Sequence, residues 1–242
     1  MTPPLFLVDV VSDAPELHLR GDEGRHAARV KRLGIGEDVL VSDGMGTLLE
    51  CVVAAVVDDG LRLTVRARRT VPPPDPRIVA VQALPKGDRA DLAVEVLTEL
   101  GVDEIVPWAA SRSIAQWHGS RGDRAVEKWR RTAREAAKQS RRARVPAVST
   151  LASTSEVTAR LAAATGLVLH ESADQPLTGI PLPAAGEICV VIGPEGGISA
   201  DELDAFAAAG ATAVRLGQPV LRTSTAGAAA LAALSLRLAR WS

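Results

Sequence analysis

Two kinds of apolar pattern follow one another along the chain. Through about residue 70 the runs are short, PLFLVDV, EDVLVSD, GTLLECVVAAVV and LRLTVRARR, and turn signals such as Asp43-Gly44 and Asp58-Asp59-Gly60 separate them. That spacing predicts strands joined by tight turns, hence a small β-rich domain. Between the first two runs, HLRGDEGRHAARVKRLGIGE predicts a short helix whose exposed face carries Arg25, His26, Arg29 and Arg32. Such a face is either solvated or an RNA contact. Four prolines in VPPPDPR (71–77) favour extended backbone and cannot continue a strand ladder. They place a boundary between a domain of residues 1–72 and one of residues 73–242.

From residue 78 the pattern alternates strand with helix. IVAVQAL (78–84) has the continuous apolar character of a strand covered on both faces. A helix follows from Asp88 to Leu100, with Leu92, Val96, Leu97 and Leu100 on one side and Gly101 as its stop. DEIVPWAA is the next strand, so the order implies a parallel crossover unit. Residues 120–143 predict a long helix: Val126, Trp129, Ala133, Ala136, Ala137 and Ser140 recur at three- and four-residue steps, while Arg124, Lys128, Arg131, Lys138 and Arg142 take the other faces. STLASTSEVTARLAAA suggests a further helix, GLVLHE (166–171) and EICVVIG are strands, and ATAVRL is a short strand before an alanine-rich helix capped by Thr223, Ser224 or Thr225. The fold class is α/β.

Composition changes this picture in three places. With 242 residues, 47% hydrophobic content and a formal net charge of -1, the chain reads as soluble, with room for two modest domains. No apolar run reaches the roughly 18–20 residues that span a bilayer, and no basic region precedes an apolar stretch at the N-terminus, so the expected location is cytoplasmic, without membrane contact. The near-zero charge hides residues 112–144, where eleven Lys and Arg face three Asp and Glu, a candidate polyanion surface. Cys51 and Cys189 lie in apolar runs without metal-ligand spacing and are expected as buried, reduced thiols.

Candidate chemistry concentrates in two loops, VVIGPEGGIS (190–199) and LGQPVLRTSTAG (216–227). In the first, EICVVI runs into Gly193-Pro194-Glu195-Gly196-Gly197, and Ser199 with Glu202 forms the capping box of the helix ADELDAFAAAG. Glycines permit close backbone approach, and the helix start offers unpaired N–H groups to a phosphate or to a neutral adenosine edge. The spacing is neither that of a dinucleotide fingerprint nor that of a P-loop, and no lysine follows the glycines. Together the two loops predict one ligand pocket, which His170, at the end of GLVLHE, could touch.

In order along the chain, RHAARVKRLGIGEDVLVSDGMG, LPKGDRADLAVEVLTELGVDEIVP, EAAKQSRRARVPAV, VVIGPEGGIS and LGQPVLRTSTAGAAAL resemble the small-subunit ribosomal RNA uracil-N3 methyltransferases of the SPOUT superfamily, the RsmE family. The resemblance covers nearly the whole chain. It implies a PUA-like RNA-binding β-barrel domain followed by a SPOUT parallel α/β domain, dimeric, with a trefoil knot, that binds S-adenosylmethionine and needs no metal. Carried over by position, the cofactor residues are Leu169, His170, Glu171, Ile192, Gly193, Gly197, Leu216, Gly217, Leu221, Arg222, Thr223 and Ala226. Arg222 is the candidate cation beside the uracil, or else a phosphate-holding or structural arginine; Glu195 or Glu171 is the candidate proton acceptor. RNA contacts are implied for Arg25, His26, Arg29, Arg32, Lys86, Arg89, Lys138, Gln139, Arg142 and Arg144. The expected substrate is 16S ribosomal RNA near the decoding region of the small subunit. Another SPOUT RNA methyltransferase or a non-catalytic RNA-binding protein are the alternatives. The chain departs from the family at His26-Ala27, where a histidine pair is common, and at Ser224, where an acid is common.

Overall fold

A computed structural model describes residues 2–87 and 89–241 and divides the chain into two compact units. Unit one comprises Met1–Pro73 with Ala137–Val145, and unit two Pro74–Ala136 with Pro146–Ser242.

Unit one is a five-stranded sheet: β1 (Leu5–Leu7), β2 (Glu16–Leu19), β3 (Asp38–Ser42), β4 (Thr47–Val57) and β5 (Gly60–Thr70), in spatial order β1-β3-β4-β5-β2. Only β1 and β3 run parallel. The period-two pattern turns Val39 and Val41, Leu49, Cys51 and Val53, and Leu61 and Leu63 into one core with Phe6 and Leu19. Gly60, the first residue of β5, has to be glycine: at its φ of 151° a Cβ would sit 2.0 Å from the Leu19 carbonyl oxygen. The strand β2 is not among those predicted, because ELHL offers only four residues of pattern. The short helix predicted after it is α1 (Gly21–Arg25), continued by a wider π-type turn over His26–Val30.

Residues 137–145 pack within this unit. The Ser42 hydroxyl donates to the Ala143 carbonyl at 2.9 Å, and Arg144 Nε to the Val71 carbonyl at 2.9 Å.

Unit two carries a six-stranded parallel sheet. Its elements are β6 (Arg77–Ala83), α2 (Arg89–Glu99), β7 (Glu104–Trp108), α3 (Gly119–Gln139, ending in unit one), β8 (Ala147–Val148), α4 (Thr154–Leu161), β9 (Thr165–Leu169), β10 (Glu187–Ile192), α5 (Ala200–Ala208), β11 (Thr212–Val214) and α6 (Thr223–Arg237). The strand order is β11-β9-β10-β6-β7-β8. Alternation along β10 sends Ile188, Val190 and Ile192 into a core with α2, α3 and α6, and Cys189 and Val191 into a second core with α4 and α5. Helices therefore cover both faces, as the continuous apolar strands predict.

Three details differ from the sequence reading. The buried stripe of α2 is Ala93, Val94, Leu97 and Thr98, with Leu92 exposed, while Asp88, expected as the helix's first residue, lies outside the described residues. The long basic helix ends at Gln139 rather than 143, because Arg141 turns the chain at a φ of 57°. The strand β8 is too short to leave a period. Burial pushes the Cys51 thiol up to about 11, and burial with the Glu187 carboxylate pushes Cys189 to about 12, so both thiols stay protonated.

Candidate active site

The neighbours β6 and β10 send their chains to helices on opposite faces, α2 to one and α5 to the other. Between them, at the carboxyl ends of the strands, a crevice must open. Three segments wall it. Strand β9 stops at Leu169 and releases His170 and Glu171; β10 stops at Ile192 and runs into the glycine loop; β11 is followed by residues 215–222, which lead into α6.

The glycine loop is shaped by contacts that leave little room for a side chain. A Cβ on Gly193 would meet Ile198 Cγ1 at 2.8 Å, one on Gly196 would stand 3.1 Å from both Cβ and the carbonyl oxygen of Arg112, and Gly197 has a φ of 74°. Beyond it the predicted capping box is present, with Ser199 and Glu202 exchanging hydrogen bonds. The buried Glu202 carboxylate does more: it accepts the Ser111 N–H at 2.7 Å and the Thr154 hydroxyl at 3.1 Å. Burial raises its pKa, but the hydrogen bonds from Ser111 and Ser199 outweigh that, so it is held below its ordinary value. Glu202 thereby ties the segment after β7 to the glycine loop, and Arg112 Nη1 reaches the Gly196 carbonyl at 3.3 Å.

The third wall is fixed by Thr223. Its hydroxyl donates to the Gly193 carbonyl at 2.7 Å and accepts from Gln82 Nε2 at 2.9 Å. The expected hydroxyl cap of α6 is absent: the N-cap is Arg222, no side chain caps it, and Thr223 is already the first helical residue, its hydroxyl bonded to the glycine loop.

The result is an open cleft of about 490 Å³ beside a smaller recess of about 80 Å³. Leu169, His170, Glu171, Leu221 and Ala226 line both; Ile192, Gly193, Gly197, Arg222 and Thr223 line the cleft alone, and Leu216 and Gly217 the recess. The twelve residues carried over by position therefore meet in one place. Glu195 and Arg89 join them, and Glu195 Oε1 accepts the Lys86 N–H at 3.2 Å. Arg112 and Gln82 are the site residues missed by sequence reasoning. Gln82 has a signal, a lone amide in the apolar run that follows Arg77 in β6; Arg112 has none beyond following a strand end.

The basic residues are more dispersed. Lys138 is paired with Glu23 at 2.6 Å, its side chain only 13% exposed, so its charge is neutralised in place. Arg25 pairs with Asp22, and His26 packs edge-on to Phe6 with ring centroids 6.3 Å apart. Arg29, Arg32 and Gln139 are exposed, whereas Arg142 and Arg144 are half-buried. Among the described residues no group of three or more His, Cys, Asp and Glu could hold a metal, and no helix is long and apolar enough to cross a membrane.

A parallel sheet with glycine loops at its carboxyl edge, in a chain that opens with a small mixed sheet, has counterparts among known proteins. Residues 72–235 match the model of an RNA methyltransferase domain, and residues 19–65 that of an RNA methyltransferase PUA domain. By class, then, the chain is an RNA methyltransferase. It is 46% identical to the ribosomal RNA small subunit methyltransferase E of Mycobacterium bovis over 100% of this chain and 94% of that one, and 28% identical to that of Bacillus subtilis over 93% and 91%. A crystal structure of the Neisseria gonorrhoeae ribosomal RNA small subunit methyltransferase E bound to S-adenosyl methionine superimposes with a TM-score of 0.85 at 27% identity, covering 98% of both chains. The chain belongs to the ribosomal RNA small subunit methyltransferase E family.

Proposed function

We propose that the protein transfers a methyl group from S-adenosylmethionine to N3 of a uracil in 16S ribosomal RNA, near the decoding region of the small subunit. One observation carries the reading: in a chain of this family, the cleft and its adjoining recess gather the twelve cofactor positions, from the end of β9 and the two glycine-bearing loops. The cleft fits the donor because the tight contacts at Gly193 and Gly196 leave backbone, rather than side chains, facing an adenosine edge. Leu169, Ile192, Leu221 and Ala226 supply the apolar lining, and Thr223 contributes backbone, its hydroxyl being committed elsewhere.

Bound there, the donor supplies an electrophilic methyl on a sulfonium sulfur. The chain's own task is to align the acceptor nitrogen and to favour loss of its proton. Arg222 lines the cleft at the start of α6, where its guanidinium stabilises charge developing on the uracil oxygens. Glu195, exposed on the rim, takes the N3 proton, with Glu171 on the β9 side as the other candidate acceptor.

N3 lies on the pairing edge, so the uracil must be unpaired or turned out of its stack. Residues 1–72, as a PUA-like RNA-binding domain, hold the RNA around it. The unit-one sheet is read as a barrel because all five strands contribute to one core, and the β4–β5 pairing slips at Glu50/Cys51 and Val53/Ala55, which bends the strands. Residues 73–242 form the methyltransferase domain, a homodimer with a trefoil knot. In support of the knot, residues 175–180 bind the C-terminal segment twice: Leu177 and Gln175 pair with Arg215, and Arg237 reaches the Leu177 and Ile180 carbonyls. Arg29, Arg32, Gln139, Arg142 and Arg144 of unit one and Lys86 and Arg89 of unit two are further RNA contacts, and the protein acts in the cytoplasm. Incubating it with labelled donor and small subunits lacking the modification, followed by nucleoside mass spectrometry, is the test. N3-methyluridine is the expected product, and its absence sinks the proposal.

A further inference from the structure

The carboxyl end of β6 holds a polar group that the fold does not need. Gln82 is fully buried in a strand whose other residues after Arg77 are Ile, Val and Ala, and its Oε1 has no hydrogen-bond partner. A buried, half-satisfied amide costs stability relative to an apolar side chain of the same shape. Some other benefit must keep the amide there, and its contacts say which.

The Ala83 carbonyl lies 2.9 Å from one side of the carboxamide, which fixes that side as the nitrogen. The same nitrogen donates to Thr223 Oγ1 at 2.9 Å. Because an amide N–H only donates, the hydroxyl must accept there and send its own proton elsewhere, to the Gly193 carbonyl at 2.7 Å. Strand register makes this reach possible: Gln82 pairs with Ile192, the residue before Gly193. A directional chain thus runs from the sheet through Thr223 to the first residue of the glycine loop. It joins two walls of the cleft, since Gly193 and Thr223 both line it while Gln82 lies behind them.

We propose that Gln82 is a positioning residue for donor binding: by dictating the direction of the Thr223 hydroxyl it locks the start of α6 to the glycine loop, holding the two walls at the spacing the donor requires. This rests on the cleft being the S-adenosylmethionine site. With an apolar residue at 82, the Thr223 hydroxyl is free to rotate towards other acceptors and the clamp loosens, although the sheet packs as well or better.

The test is calorimetric titration of the full-length protein with S-adenosylmethionine, with melting temperatures measured in parallel. Wild-type protein binds the donor. Gln82→Met, close to the glutamine in shape, weakens binding about tenfold, the scale of one hydrogen bond, while its Tm is unchanged or higher. Thr223→Val gives a similar loss, Thr223→Ser recovers most of it, and the double variant Gln82→Met/Thr223→Val binds no worse than either single one, as one shared chain requires. Full affinity in Gln82→Met overturns the inference, and so does full affinity in Thr223→Val where Gln82→Met fails to fold. Wild-type protein that takes up no donor removes the reading of the cleft itself, and the clamp with it.

Discussion

The two ends of the parallel sheet use the same residue types for opposite purposes. At the amino end, Arg160 of α4 bridges the first residues of two strands: Nε and Nη2 meet Glu187 at 2.7 and 2.9 Å, and Nη1 and Nη2 meet Glu104 at 2.8 and 2.7 Å. Arg77 adds a contact to Glu104 at 2.5 Å, and the Ser149 hydroxyl another at 2.5 Å. Every carboxylate there is occupied and largely buried. At the carboxyl end Glu171, Glu195 and Arg222 stand exposed around the cleft, and the order comes from backbone, through Gly193, Gly196 and the buried side chains of Glu202 and Thr223. Charge at one end is spent on holding the strands together. At the other it is left available to a ligand, and rigidity comes from groups set behind the surface.

Breaking the amino end should therefore cost stability and spare chemistry. In Arg160→Met, two part-buried carboxylates lose their main partner, an expected loss of about 3 kcal/mol in unfolding free energy. Denaturant unfolding measures it, and donor affinity at a temperature where the variant is folded should match wild type. An equal loss of affinity would show that the two ends are coupled.

Breaking the carboxyl end should do the reverse. Gly197→Trp puts a side chain on a φ of 74° within the cleft lining, which strains the loop and fills the donor's place. Methyl transfer should fall by about two orders of magnitude, the scale of a misplaced reacting group, with a much smaller change in Tm. Near-normal transfer would mean that this loop does not hold the donor.

The contrast was only half legible in the sequence. Glycine spacing and the Ser199–Glu202 pair announced the loop, since both act over a few residues, where local geometry decides the outcome. The apolar runs likewise gave away β6, β9 and β10. What pattern could not give is the company a residue keeps across the fold. Gln82 and Thr223 are 141 positions apart, Ser111 and Glu202 are 91 apart, and nothing in either neighbourhood names the other. Lys138 read as one more cation of a basic helix until Glu23, 115 positions away, turned out to neutralise it. The amino-end network was missed for the same reason, each of its charges beginning a strand or sitting on a helix face where solvation is the ordinary fate.

The smallest effect is a pH dependence, to which the amino end contributes through two carboxylates and the carboxyl end through Glu202. Glu187 is held below its ordinary carboxylate range by the Arg160 hydrogen bonds, against its burial. For Glu104 burial pushes upward most strongly, yet the hydrogen bonds from Arg160 and Ser149 and the charges of Arg160 and Arg77 together leave it lowered as well. A carboxylate whose folded pKa is depressed contributes stability that is fully present above its unfolded value near 4.5 and is lost as pH falls through the folded value. Wild-type Tm should accordingly decline once the pH drops below about 4.5, by about 2–4 °C for each kcal/mol withdrawn. In Arg160→Met the burial of Glu104 is opposed by fewer partners, its share of the linkage shrinks towards the opposite sign, and the acid decline should flatten. Gly197→Trp leaves the amino end intact, so its Tm should keep the wild-type acid slope. Parallel melting curves from pH 7 to pH 3.5 for the three proteins decide the matter: a Gly197→Trp curve that flattens like that of Arg160→Met would mean that the acid slope comes from Glu202 beside the glycine loop as much as from the Arg160 network.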